Sequence, residues 1–124
     1  MMVNDEVFAD TYALICILEG HPGYAPFVDR HLLATIFNLA ELHQAVLRKY
    51  GMKEAHRQLH KHEHCLTEIP FEVVEAASAY RLTHKKERLS YADCIGYALA
   101  MQLNIPFLTG DKQFEGKPNV LFVR

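Results

Sequence analysis

Four acidic residues stand just after apolar segments, at the predicted starts of helices. They are Asp10, Glu41, Asp93 and Asp111. In a parallel α/β fold, the helices that follow strands start at the carboxyl edge of the sheet, where ligands also bind. Clustered carboxylates repel one another unless a cation neutralises them, and oxygen ligands without His or Cys suit Mg²⁺ or Mn²⁺ rather than zinc. The pattern therefore predicts a divalent-cation site and, from it, a metal-dependent hydrolase.

Each of these acids also has a purely structural interpretation. Asp10 and Asp111 can cap the helix or turn that follows them. Glu41 and Asp93 stand three residues after an asparagine and a serine, which is the spacing of a capping box. Capping and cation binding place a carboxylate in the same neighbourhood, so both interpretations stay open for every acid.

The elements that would position the acids alternate between strands and helices. The predicted strands are Val7–Ala9, Leu32–Phe37, Cys65–Ile69, Ile105–Leu108 and Val120–Val123. The predicted helices are Thr11–Glu19, Pro26–Arg30, Asn38–Tyr50, Lys53–His62, Phe71–Lys85 and Ser90–Leu103. Strands that are apolar throughout indicate a parallel sheet covered on both faces. The predicted fold is an α/β class, three-layer α/β/α sandwich with a central parallel sheet of four to five strands, built as a single domain over residues 1–124.

The composition agrees with a globular protein. The chain has 124 residues and 50% of them are hydrophobic. This composition excludes a disordered chain, and the length allows one domain. Three widely spaced cysteines predict free thiols in a reducing compartment. The N-terminal segment lacks the apolar stretch of a signal peptide, and no apolar run is long enough to span a membrane. These features predict a cytoplasmic protein without membrane association.

The charge balance contains one local feature. A net charge of −2 gives no global signal for nucleic-acid binding. A basic run nevertheless precedes the segment that contains Asp93, and it consists of Arg81, Lys85, Lys86 and Arg88. Its first interpretation is a solvated helix C-terminus, where cations favour the helix dipole. Its second is to steer a nucleic-acid backbone toward the acids.

Four segments together resemble a known family. They are Phe8-Ala9-Asp10-Thr11, Asn38-Leu39-Ala40-Glu41-Leu42, Leu89-Ser90-Tyr91-Ala92-Asp93-Cys94-Ile95 with Ala98 and Ala100, and Phe107-Leu108-Thr109-Gly110-Asp111-Lys112-Gln113-Phe114. In this order and at this spacing they resemble the PIN domain, the nuclease domain of VapC-type toxins. No single segment is specific, but the ordered set covers nearly the whole chain.

The resemblance implies a Mg²⁺- or Mn²⁺-dependent endoribonuclease that cleaves single-stranded or structured RNA, as the toxin of a type II toxin–antitoxin pair. It implies an antitoxin partner and a homodimer. It assigns catalysis and metal binding to Asp10, Glu41, Asp93 and Asp111, with supporting hydroxyl groups from Thr109 and Thr11. Two alternatives share the fold: a housekeeping RNA-processing nuclease, and a binding module without catalysis. The second would be expected to have lost some of the acid positions.

Overall fold

Four parallel strands form one sheet in the computed structural model, which describes residues 5–124. They are β1 (Glu6–Ala9), β2 (His31–Leu33), β3 (Phe107–Thr109) and β4 (Val120–Phe122), in the order β2-β1-β3-β4. The register pairs Phe8 with Leu33 on one side and with Phe107 on the other. Residues 1–4 lie outside the described residues. They belong to the N-terminal segment for which the sequence predicts that no signal peptide is present.

Five α-helices in the described part of the chain cover the two faces of this sheet. They are α1 (Thr11–Leu18), α2 (Ile36–Tyr50), α3 (Met52–Lys61), α4 (Phe71–Thr83) and α5 (Tyr91–Leu103). Because side chains alternate along a strand, Val7 and Ala9 join the core formed with α1, α2 and α3. Phe8 points the other way, into the core formed with α4 and α5. The predicted three-layer sandwich is confirmed.

The predicted strand Cys65–Ile69 is wrong. A 3₁₀ turn at Glu63–Cys65 leads into this segment, which touches the sheet through a single parallel bridge between Ala34 and Leu66. The reason lies in its neighbour, because the chain leaves β2 and begins α2 almost at once. A longer strand would therefore find no extended partner, and the sheet formed by residues 5–124 has four strands.

The predicted strand Leu32–Phe37 is too long for the same reason. The Asn38 side chain accepts a hydrogen bond from the Thr35 backbone N–H at 2.9 Å, and the Thr35 hydroxyl accepts one from the Asn38 N–H at 3.4 Å. This capping box starts α2 at Ile36 rather than at Asn38. The interpretation of Asn38 as the start of a box ending at Glu41 is therefore wrong, and Glu41 lies in the second turn of the helix.

Two other helices differ from the sequence prediction by more than one residue at an end. A 3₁₀ helix at Pro22–Phe27, capped by the His21 ring, replaces the predicted helix Pro26–Arg30. Helix α4 ends at Thr83 instead of Lys85, and a short 3₁₀ turn follows it. The three cysteines form no disulfide. No helix within residues 5–124 has both the length and the apolar character required to cross a membrane.

Candidate active site

All four predicted acids line one cleft at the carboxyl edge of the sheet, called here the acidic cleft. Its volume is about 350 Å³, and its lining residues are Asp10, Thr11, Tyr12, Glu41, Gln44, Ala45, Arg48, Asp93 and Asp111. Two of the acids follow β1 and β3, while α2 and α5 carry the other two. The fold thus brings together residues that are widely separated in the sequence.

Asp10 is held at the base of the acidic cleft by two hydrogen bonds. Its Oδ1 accepts the Ala13 backbone N–H at 2.9 Å and so caps α1, and its Oδ2 accepts the Thr109 hydroxyl. Only 5% of Asp10 is exposed. The pKa of Asp10 is raised from 3.8 to about 7, with burial as the largest cause. Asp10 is therefore both a helix cap and a carboxyl group that is costly to ionise.

Asp93 is held by the start of α5. Its Oδ2 accepts the Ser90 backbone N–H at 3.1 Å, and the Ser90 hydroxyl accepts the Asp93 N–H at 3.0 Å. These two bonds complete a capping box. Burial is the main cause that raises the pKa of Asp93, and the charges of Asp111 and Glu41 contribute in the same direction. The capping interpretation of Asp93 is confirmed, and it coexists with a position in the cleft.

Asp111 is fixed by the loop that leaves β3. Its Oδ1 accepts the Gln113 N–H at 3.0 Å and caps the next 3₁₀ turn, while its own N–H donates to the Thr109 hydroxyl at 3.0 Å. Gly110 allows this loop to pack closely, because a Cβ there would overlap the Tyr12 ring and lie 2.5 Å from the Val123 carbonyl oxygen. The Thr109 hydroxyl therefore connects two acids of the cleft.

Glu41 is held by a series of side-chain hydrogen bonds and does not cap a helix. The Thr11 hydroxyl donates to the Glu41 carboxylate at 2.5 Å and accepts from the Asn38 amide at 3.3 Å. The Thr35 hydroxyl in turn donates to the Asn38 carbonyl oxygen at 2.8 Å. This network ties the exposed Glu41 to buried groups at the start of α2.

The donor set fits a hard divalent cation, although it is not preassembled. Asp10 feels the negative charges of Asp93 and Asp111, and a bound cation would remove this repulsion. Every acid offers only oxygen atoms, which Mg²⁺ and Mn²⁺ prefer. Among residues 5–124, however, no three His, Cys, Asp or Glu side chains converge closely enough to form a ready metal site. The carboxylates would have to move closer together or complete the coordination shell with water.

Three polar residues of this region do not follow from the acid pattern. Gln44 and Arg48 line the cleft, and Asn38 is buried behind it with 3% exposure. Gln44 and Arg48 follow Glu41 along α2 at intervals that place all three on one helix face. This helical spacing was the signal available in the sequence. Arg48 supplies positive charge among the residues that line the cleft.

The chain belongs to the PIN domain family, because the model of that family matches residues 7–119. No curated protein shows a significant match to this sequence.

Solved structures of toxins share the fold. A toxin–antitoxin complex from Klebsiella pneumoniae aligns with a TM-score of 0.72 at 18% identity, covering 93% of this chain and 95% of that one. VapC20 of Mycobacterium tuberculosis, a toxin that cleaves the sarcin–ricin loop, aligns with a TM-score of 0.75 at 16% identity, covering 95% of this chain and 99% of that one. VapBC2 of Rickettsia felis, bound to a promoter DNA fragment, aligns with a TM-score of 0.72 at 15% identity, covering 94% of this chain and 96% of that one.

Proposed function

We propose that this PIN domain is a divalent-cation-dependent endoribonuclease and the toxin of a type II toxin–antitoxin pair. The observation that carries the proposal is the convergence of four acids, delivered by four different segments, on one cleft of a PIN fold. A binding module without catalysis would have no need to keep two carboxyls there whose pKa values are raised by burial, a feature that is typical of functional sites.

The acids would divide the work of phosphodiester hydrolysis. PIN nucleases typically use divalent metals, and Asp10, Asp93 and Asp111 are the residues that would hold Mg²⁺ or Mn²⁺. The bound cation would lower the pKa of water and neutralise charge on the scissile phosphate. Glu41, exposed and oriented by Thr11, would hold the attacking water in line. Water adds to phosphorus and the P–O3′ bond breaks, which leaves a 5′-phosphate and a 3′-hydroxyl.

The other residues around the cleft would hold these groups and the substrate. Thr109 fixes the Asp10 carboxyl and the Asp111 backbone, so its hydroxyl is a positioning group. Arg48 lies on the same helix face as Glu41. Its guanidinium would bind a phosphate oxygen of the RNA through a charge-assisted hydrogen bond.

An RNA-cleavage assay with purified protein tests the proposed activity. We expect cleavage with Mn²⁺ or Mg²⁺, no cleavage with EDTA, and 5′-phosphate product ends. Asp93→Asn should lower the rate by at least about a hundredfold because a charged cation ligand is lost. The fold should be kept, since the amide oxygen can still accept the Ser90 N–H. Glu75→Gln, an exposed acid on α4, is the matched control and should cut like wild type. Equal cleavage by Asp93→Asn and wild type would assign the activity to another site.

The toxin assignment rests on the neighbouring structures and needs its own test. One of these is a toxin–antitoxin complex from Klebsiella pneumoniae, and another is VapBC2 from Rickettsia felis. We therefore propose an antitoxin partner, a homodimeric toxin and a cytoplasmic location. Expression of the chain alone should arrest growth, and co-expression of the adjacent gene should restore growth and yield a stable complex. If no arrest occurs but purified protein cleaves RNA, the chain is an RNA-processing nuclease instead.

A further inference from the structure

A second concave surface lies between the end of α4 and the start of α5, and it is called here the basic groove. Its volume is about 400 Å³. Three cations line it, namely Arg81, Lys85 and Arg88, together with apolar surface from Leu82, Leu89 and Tyr91. No acidic residue is among its lining residues, although the chain as a whole has a net charge of −2. The groove is therefore a local concentration of positive charge over an apolar floor.

Specific contacts hold part of this groove in place. The Arg81 Nε donates to the Leu89 carbonyl oxygen at 3.1 Å, and its guanidinium lies 5.7 Å from the centre of the Tyr91 ring. The Tyr91 hydroxyl is hydrogen-bonded to Ser78. Glu87 is the acidic residue next to Arg88 in the sequence. Its Oε1 lies 2.7 Å from the Nζ of Lys117, so its charge is paired there and does not neutralise the cations of the groove.

The basic groove adjoins the acidic cleft through the first turn of α5. Leu89 and Tyr91 line the groove on either side of Ser90 in the sequence. The Ser90 backbone N–H is the group that donates to the carboxylate of Asp93. The first turn of α5 therefore carries a lining residue of each concave surface, Tyr91 for the groove and Asp93 for the cleft.

We propose that the basic groove binds an unpaired segment of RNA next to the cleavage point. Lys85 and Arg88 neutralise its phosphates, and a base packs on the exposed surface of Tyr91 and Leu82. Charge complementarity favours a polyanion, and the aromatic and apolar floor favours a strand whose bases are free to leave the stack. This inference rests on the proposed function, because it assigns the groove to an unpaired part of the RNA that the acidic cleft would cleave.

The backbone at Arg88 offers a clean way to test this assignment. Arg88 has a positive φ of 58°. That value lies in the left-handed region that favours glycine, so Arg88→Gly removes a cation from the groove without straining the fold. Lys86 is the matched control, since it is exposed in the same 3₁₀ turn but does not line the groove.

The experiment measures binding without cleavage. A short, unstructured, fluorescently labelled RNA is titrated with protein in EDTA, and its anisotropy is followed over a range of salt concentrations. For a single strand, each lost phosphate contact lowers the slope of log K against log salt by about 0.7. We expect this reduction for Lys85→Gln and for Arg88→Gly, and no such reduction for Lys86→Gln.

A second set of variants in the same binding assay tests the aromatic side chain of the groove, Tyr91. Tyr91→Leu should weaken single-strand binding about tenfold through loss of stacking, while Tyr91→Phe should bind like wild type. A fully paired RNA of the same length should bind more weakly than the single strand.

Three outcomes would overturn the proposal. The first is an equal loss for Lys86→Gln and Lys85→Gln, which would indicate surface charge without a site. The second is equal or tighter binding of the duplex. The third is unchanged RNA binding by the groove variants. If these variants also lose the complex with the co-expressed product of the adjacent gene, the groove is assigned to a protein partner. Because the binding assay omits the cation, it is independent of catalysis. Single-strand binding in EDTA, together with no RNA cleavage when Mn²⁺ or Mg²⁺ is added, would contradict the proposed function but not the groove.

Discussion

The acidic cleft and the basic groove meet at the first turn of α5, and their side chains are held in different ways. In the cleft, Asp10, Asp93 and Asp111 each accept backbone N–H groups. In the groove, Lys85 and Arg88 project from a short turn into solvent. The comparison shows that the carboxylates proposed for chemistry are fixed by the same contacts that build the fold, whereas the cations proposed to bind a flexible strand are not.

The largest expected effect is the pH dependence that Asp10 gives to stability. Its pKa is about 7 in the folded protein and 3.8 without burial, so between these values the unfolded chain ionises first. The free energy of unfolding should therefore fall as pH rises from about 4 to about 7 and then level off, by at most about 4 kcal/mol.

Asp10→Asn should lack this dependence, so the variant should gain stability relative to wild type as pH rises. Urea denaturation in EDTA on either side of neutral pH measures the difference. Glu75→Gln serves as the control, and it should follow the wild-type pH profile. If the free energy of unfolding changed with pH in the same way for wild type and Asp10→Asn, burial of the ionised Asp10 carboxylate would not destabilise the protein.

Gly110→Ala is expected to have the next largest effect. The new Cβ would lie 2.5 Å from the carbonyl oxygen of Val123, a backbone atom that cannot rotate away. We expect a loss of about 3 kcal/mol by thermal or urea unfolding. Gly20→Ala is the control, because its Cβ would meet open space. Only the positive φ would cost energy there, about 1 kcal/mol. Equal losses at both glycines would contradict a tightly packed cleft loop.

Thr109→Val removes a buried hydroxyl that donates a hydrogen bond to the Asp10 carboxylate and accepts one from the Asp111 N–H. We expect a loss of about 2 kcal/mol of stability. RNA cleavage should also fall, because two acids of the cleft are released from their positions. Thr109→Ser keeps the hydroxyl and should restore most of both properties. Cleavage that remains at the wild-type level in Thr109→Val would exclude a positioning role for this hydroxyl.

The smallest expected effect on stability belongs to the groove. Arg88 has a positive φ, which glycine adopts without strain. Arg88→Gly should therefore change the free energy of unfolding by less than about 0.5 kcal/mol, or raise it slightly. Urea denaturation of this variant beside Gly110→Ala makes the contrast direct. A loss above about 1 kcal/mol would show that Arg88 supports the fold and that the two regions differ less than the contacts indicate.

Local sequence signals were sufficient for most of the sheet and for three of the four acids. Apolar runs followed by a capping residue identified β1 and β3, and a capping box at Ser90 identified the start of α5. These signals involve only residues that are close in the sequence, so they can be recognised without knowledge of the tertiary fold. The convergence of Asp10 and Asp111 also followed, because both come after parallel strands.

Other features depended on a local signal that competes with β propensity, or on contacts between separate elements. The apolar residues Ile36 and Phe37 predict a strand, but they are half exposed on the first turn of α2. The Thr35 capping box outweighs β propensity there. The sequence pattern therefore predicts Glu41 near a helix start, whereas α2 begins at Ile36 and holds Glu41 in its second turn. Its link to Asn38 through Thr11 spans two elements and could not be seen in the chain order.

Calorimetric titration with Mn²⁺ tests the central claim most directly, namely that Asp10, Asp93 and Asp111 hold a divalent cation in the acidic cleft. Wild type should bind Mn²⁺, Asp93→Asn should bind it roughly tenfold more weakly or worse, and Glu75→Gln should match wild type. Binding should also weaken as pH falls below about 7, because the Asp10 carboxyl then holds a proton that competes with the cation. Absence of Mn²⁺ binding to wild type, or equal affinity for wild type and Asp93→Asn, would contradict the account.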